Sequence, residues 1–269
     1  MSSSTPISHL RRAALGLYTY AEFFSLALVF LPIMAVVALF KRREAGRRQR
    51  GRWMRRFGKL TSQLTPLWRF HVEGEGPKDI QGRAYVVVSN HLSTADPFLL
   101  CHLPWDMRWV AKREVFRQPV TGWLISLGGD IPLERGNRAS VEQMFAEAQE
   151  TLAEGMSVML FPEGTRSSDG QLQEFKDGAF ELAIEAGVPV LPLAIWGTRE
   201  CRPKGSVWFG DADAVVRVLE PISTEGMTAA DVQDLKARVR ERIAAALTRP
   251  RALDGRLETK GAANAASLP

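Results

Sequence analysis

Between Phe23 and Phe40 the chain runs through eighteen consecutive uncharged residues, most of them strongly apolar. At about 1.5 Å of rise per residue they make roughly 27 Å of helix, close to the hydrocarbon thickness of a bilayer. Glu22 is the only charge from Ala13 to Phe40, and ten basic residues follow between Lys41 and Lys59. The net charge of +5 is therefore divided unevenly, with +10 on residues 1–59 and −5 on the rest. A basic flank beside an apolar helix fits the cytoplasmic side of a membrane. A cleaved signal peptide fits poorly, because the run is long and no small-residue cleavage site follows it.

Pro32 interrupts the run. A full span and a hairpin entering one leaflet both remain open. The basic block, with Trp53, Met54 and Phe57 among its charges, suits anionic headgroups at ~1 kcal/mol per cation. The competing reading is a buried core helix followed by a solvated charged face. No nucleic-acid motif accompanies the block, so no nucleic-acid partner is expected.

Beyond Leu60 the pattern changes to alternating strands and helices. Strands are predicted at 68–74, 84–90, 107–111, 130–133, 157–161, 188–196 and 214–222. Helices are predicted from Pro97 to about Leu103, along an amphipathic stretch from Glu114 to Leu127, through Val141–Leu152, over 180–187, and after a Thr228 cap. This alternation implies an α/β fold with a mixed, mostly parallel sheet flanked by helices. Pro189 and Pro192 in the strand at 188–196 point to a sheet edge or a bulge. The expected organisation is a membrane-attachment segment over 1–59, an α/β domain over 60–249 and a disordered tail over 250–269. Cys101 and Cys201 lack CxxC or Cys/His companions, which speaks against a disulfide framework or a zinc site and leaves no metal expected. Trp105, Trp109, Trp123 and Trp196 read as core.

Three short blocks carry chemistry. VVVSNHLSTADP sets His91 just past a buried strand, where α/β folds build their sites, with Asp96 five positions on. Asp96 before Pro97 is also a good helix start, so its carboxylate fits an N-cap as well as a partner for the imidazole. FPEGTRS, residues 161–167, follows an apolar strand. Gly164 there permits a tight turn and Arg166 offers a fork for a phosphate, although an internal Glu–Arg turn also fits. In IPLERGN, Arg135 lies between a short strand and a helix.

In this order the blocks resemble those of the glycerolipid acyltransferases, over roughly residues 60–225. SNHLSTADP is similar to the family's N-H-x-x-x-x-D motif, GGDIPLERGN to its arginine-bearing second motif, FPEGTRS to its third, and VPVLPLAIWG to its fourth. WVAKREVF and EFKDGAF occupy the places of its two lysine-bearing segments. The resemblance is closest to the bacterial enzymes that acylate 1-acylglycerol-3-phosphate.

It implies direct acyl transfer without an acyl-enzyme. His91 acts as general base on the acceptor's 2-hydroxyl, supported by Asp96. Arg135, Glu163, Gly164, Thr165 and Arg166, with Lys112, hold the acceptor, and Pro192 belongs to the acyl channel. The implied donor is acyl-CoA or acyl carrier protein, with no cofactor beyond that co-substrate. Membrane lipids are the partner, at the cytoplasmic face of the inner membrane. Acylation of another lysolipid, such as lyso-ornithine lipid, is compatible with the same blocks. So is a non-catalytic membrane-binding module whose arginines take headgroups.

Overall fold

The computed structural model of the 269-residue chain describes residues 6–41, 47–203 and 205–248. Residues 42–46 of the basic block and the tail from 249 onward lie outside them. Helix α1 (Pro6–Phe40) is followed by α2 (Arg48–Leu64), then by β1 (Trp68–Glu73), β2 (Val86–Ser89) and the short α3 (Asp96–Leu100). Next come β3 (Met107–Lys112), α4 (Arg113–Phe116), α5 (Thr121–Gly128), β4 (Ile131–Leu133), α6 (Arg138–Ala153) and β5 (Ser157–Leu160). The chain continues through α7 (Gly178–Glu185), β6 (Val190–Trp196), α8 (Thr198–Cys201) and β7 (Ala212–Val218) to α9 (Val232–Leu247). The 59/60 division lies within α2, which runs unbroken into the α/β part.

The seven strands form one sheet in the order β1-β7-β6-β2-β5-β3-β4. All neighbours pair parallel except β6 and β7, so β1 and β7 run against the other five. At the centre, the whole of β2 is buried. Its successive side chains enter two cores, Val86 and Val88 on one face and Tyr85 and Val87 on the other. That two-sided burial is why the sequence reads VVV there rather than alternating apolar with polar.

Of the sheet edge and the bulge expected at 188–196, the edge is overturned, while a bulge lies opposite Pro192, where the register shifts by one residue between Leu193–Val218 and the Val190–Ile222 bridge. Strand β6 is paired on both sides, parallel to β2 and antiparallel to β7. Pro192 is accommodated because its missing donor falls where the β7 ladder ends. Its carbonyl still accepts from the Leu219 N–H at 3.1 Å, and regular pairing starts one residue later at Leu193–Val218. The single amphipathic stretch expected over 114–127 is two helices, broken around Pro119 and Val120, whose φ is +64°.

Helices α1 and α2 form an antiparallel pair. Phe30 meets Trp53 and Phe57 edge-on, Phe23 meets Phe57, and Glu22 accepts from the Thr65 hydroxyl at 3.0 Å. Ala27, Phe30 and Met34 bury against Phe57 and, on α5, Leu124. The opposite side of α1 leaves Leu17, Tyr18, Phe24, Leu28, Val29, Val36, Leu39 and Phe40 exposed. From Ala13 to Phe40 this helix is long and apolar enough to cross a membrane.

Helix α2 is fastened to the sheet domain through charge. Asp106, 6% exposed just before β3, receives Arg52 Nε at 2.9 Å and Arg55, with Arg48 at 3.9 Å. Burial alone would raise the Asp106 carboxyl, but the three guanidinium groups outweigh it and hold the group below its ordinary range.

Candidate active site

Five strands run the same way, so the loops after β2, β3, β4 and β5 open on one edge of the sheet. His91 lies two residues past β2, the FPEGTRS loop follows β5 directly, and Arg135 lies two residues past β4. Strands β2 and β5 are neighbours, which sets the first two blocks side by side although 72 positions separate His91 from Glu163.

His91 and Asp96 meet. Imidazole Nδ1 lies 2.6 Å from Asp96 Oδ2. The same oxygen accepts the Leu92 N–H at 2.7 Å and the Ser93 N–H at 3.0 Å. The N-cap expectation for Asp96 is overturned. The cap position is Ala95, and Asp96 turns its fully buried carboxyl backward onto the preceding turn, making no side-chain cap bond. The reason is a competition for acceptors. The Phe98 and Leu99 amides that a cap would take donate instead to the Ala95 carbonyl, at 3.0 and 3.1 Å, and the amides of Leu92 and Ser93 converge on the carboxyl from the other side.

A carboxyl on Nδ1 fixes that nitrogen as the donor, so Nε2 is left as the basic lone pair. The ring stacks on Phe161 at 4.0 Å between centroids and 17° between planes, and the side chain stays 19% exposed. The loop after β5 also grips the His91 backbone. Glu163 Oε1 accepts the His91 N–H at 3.0 Å, and the Ser167 N–H donates to the His91 carbonyl at 2.8 Å. Behind them Asn90 exchanges two 2.8 Å bonds with the backbone of Ile195, tying the end of β2 to β6.

Glu163 is 4% exposed. Burial pushes its carboxyl up to about 7, against the pull of the His91 and Gln173 amides. It faces the His91 turn, and its Oε1 is spent on that turn rather than on an arginine or an open site.

The cations gather around Gly164. Its φ of +72° is the left-handed region that glycine enters freely. A Cβ at Gly164 would lie 3.0 Å from Lys176 Cε and 3.7 Å from Arg135 Cζ, so both side chains border this turn. Arg135 and Thr165 are exposed and Arg166 is half-buried. Lys112, at the carboxyl end of β3, pairs with Glu114 at 3.1 Å.

The sheet thus joins His91, Asp96, Glu163, Gly164 and Arg135. Pro192 is not among them. It is buried at the register of Val88, three residues short of His91, within the sheet. Sequence reasoning gave no role to Phe161, Ser167 or Asn90; their only signal was adjacency to the motifs. Trp123, expected in the core, is 56% exposed on α5. His102 bonds Ser62 Oγ at 2.8 Å, and burial pushes its imidazole down to about 4.

A family model described as Acyltransferase matches residues 71–196. The chloroplastic 1-acyl-sn-glycerol-3-phosphate acyltransferase of Arabidopsis thaliana is 38% identical over 143 residues, which are 53% of this chain and 40% of that protein. The alpha form of the human 1-acyl-sn-glycerol-3-phosphate acyltransferase is 36% identical over 177 residues, 65% of this chain and 62% of its own length. The chain thus spans between two fifths and two thirds of these curated relatives. The crystal structure of the 1-acyl-sn-glycerophosphate acyltransferase PlsC from Thermotoga maritima aligns with a TM-score of 0.69 at 28% identity, over 90% of this chain and 98% of that one.

Proposed function

Because the protein carries an acyltransferase-family domain over residues 71–196, we propose that it acylates the 2-hydroxyl of 1-acylglycerol-3-phosphate to give phosphatidic acid. The donor is an acyl thioester, acyl-CoA or acyl-acyl carrier protein. The observation that carries this reading is the 2.6 Å contact between His91 Nδ1 and a fully buried Asp96, on a ring stacked against Phe161 whose backbone is held by Glu163 and Ser167.

The chemistry follows from that geometry. Nε2 takes the hydroxyl proton as the alcohol oxygen attacks the thioester carbon, and Asp96 stabilises the imidazolium that forms. When the tetrahedral intermediate collapses, the C–S bond breaks and the imidazolium returns its proton to the departing thiolate. Base assistance of this kind is worth about 10²–10⁴ in rate. No nucleophilic hydroxyl is needed. Ser93, within the turn, donates its hydroxyl to the Arg202 carbonyl at 3.2 Å, and Ser89 donates its own to the Asn90 carbonyl at 3.0 Å. Arg135 and Lys176 beside Gly164, with Arg166 and Lys112, supply the positive charge for the acceptor's phosphate.

The membrane helix gives the lipid substrate its route. Helix α1 packs lengthwise on α2 and α5, and α2 carries Arg48, Arg50, Arg52, Arg55 and Arg56. A transverse α1 would draw α2 into hydrocarbon with its exposed Arg56 and Lys59, and the charged docking site at Asp106 with it, which is costly. Helix α1 therefore lies in one leaflet with its apolar side down, at the cytoplasmic face of the inner membrane.

His91→Ala tests the reading with lysophosphatidic acid and acyl-CoA in vesicles. Turnover is expected to fall by about 10²–10⁴ while vesicle binding persists. Unchanged turnover removes the general-base role. An acceptor panel with mass detection of the product separates phosphate-bearing from other lysolipids.

A further inference from the structure

Helix α1 is not the only apolar surface left open. After α8 the chain makes an excursion before entering β7 at Ala212. Its base is closed by the Gly210 N–H donating to the Cys201 carbonyl at 2.9 Å. The described part is internally braced. The Trp208 N–H donates to Ser206 Oγ at 3.0 Å, and Arg202 Nε donates to the Ser206 carbonyl at 3.1 Å. Phe209 turns inward against Trp68, with centroids 5.7 Å apart. Even so, Val207 is 60% and Trp208 54% exposed, so two apolar residues of the tip project from a braced loop.

The tip is seated on α1. Tyr20 donates its hydroxyl to the Val207 carbonyl at 2.7 Å, and its ring lies 4.9 Å from Phe209. The Trp208 ring crosses Gly16 so closely that a Cβ there would be 3.0 Å from Cε3. Exposed Leu17 is the next residue, and exposed Tyr18 follows. The apolar side of α1 therefore continues onto the tip of this loop.

We propose that residues 205–210 are a second lipid-contacting element, with Val207 and Trp208 entering the same leaflet beside the N-terminal half of α1. The inference rests on the membrane-surface reading of α1. Two observations favour lipid as the occupant. The patch is continuous with a helix face apolar over a bilayer's thickness. The tip pairs an aliphatic residue with a tryptophan, whose amphipathic ring favours the headgroup boundary. The loop also touches the reaction centre from behind, because Ser93 Oγ in the His91–Asp96 turn donates to the Arg202 carbonyl at 3.2 Å. Seating the tip in lipid then sets the height of the dyad above the membrane plane.

The test uses the full chain and vesicles of phosphatidylcholine with phosphatidylglycerol. Val207→Cys is labelled with an environment-sensitive dye. Cys101 and Cys201 are buried at 8% and 0% exposure and do not compete for the label. On vesicles the dye emission is expected to shift to the blue and to be quenched by lipids brominated along the acyl chain. A Val207→Ser, Trp208→Ser double variant is expected to bind vesicles about tenfold more weakly, about 1.4 kcal/mol. Its turnover should fall on vesicle-borne acceptor and stay unchanged on a short-chain soluble one. An unshifted, unquenched dye on vesicle-bound protein overturns the inference and leaves α1 as the anchor. Failure of the wild type to bind vesicles at all overturns the membrane reading, and this inference with it.

Discussion

Replacing Glu163 separates two roles for this side chain, a support for the His91 turn and a charged ligand for substrate. In the structure Glu163 Oε1 accepts the His91 N–H at 3.0 Å from a position 4% exposed. Glu163→Gln keeps a carbonyl oxygen at that place and removes the charge. Glu163→Ala leaves a buried backbone donor without a partner, a cost of ~1–3 kcal/mol. If that displacement is felt in the transition state, kcat falls about 5- to 150-fold at ~1.4 kcal/mol per decade. Steady-state kinetics with lysophosphatidic acid should therefore show Glu163→Gln within a few-fold of wild type. Glu163→Ala should lose kcat at nearly constant KM. A Gln variant as poor as the Ala variant, or one that mainly raises the acceptor's KM, refutes the supporting role.

A second readout comes from pH. Burial raises the Glu163 carboxyl to about 7 in the fold, from an ordinary value of 4.5. The folded state then binds a proton that the unfolded chain releases. Its contribution is complete below 4.5 and is lost as pH rises through 7. Glu163→Gln abolishes that dependence, so its gain in Tm over wild type should grow between pH 6 and pH 8.5. A difference independent of pH over that window contradicts the raised carboxyl.

Asp96→Asn keeps an oxygen for the Leu92 and Ser93 amides and for Nδ1 but removes the charge that stabilises the imidazolium, so kcat should fall about 10²–10⁴ with little change in Tm; an active variant would show that Asp96 only shapes the turn. Asp106→Ala strips the counter-charge from Arg55, whose side chain is 10% exposed, and should destabilise the docking of α2 by about 3–5 kcal/mol, measured as a lower unfolding temperature in detergent. Gly164→Ala forces a Cβ into the left-handed region at φ +72° and against Lys176. The expected cost is about 1–2 kcal/mol, with a raised KM for lysophosphatidic acid and an unchanged KM for acyl-CoA.

The His91–Asp96 pair was legible because a five-residue spacing across a strand-to-helix turn is local information. Its chemistry was not decided there, since an N-cap and an imidazole partner predict the same residue. Only the direction in which the carboxyl turned could separate them. Glu163 shows the same limit. FPEGTRS was recognisable as a block, but the grip of Glu163 and Ser167 on His91 depends on β2 and β5 being neighbours, and no window of sequence contains both. Pro192 left a sheet edge and a bulge equally open for the same reason. Proline's missing donor excludes it from ladders, yet β6 has partners on both sides because β7 stops pairing where that donor would have pointed.

By itself the sequence determined the elements and their order, since apolar periodicity, caps and breakers act over a few residues. The uncharged run likewise marks a helix long and apolar enough to cross a membrane. The tertiary structure decided which side of α1 remains open, which loops share the sheet edge and which way each buried carboxyl faces. Those depend on strand order and helix packing, where the partners lie tens of positions apart and the outcome follows from which surfaces exclude water together.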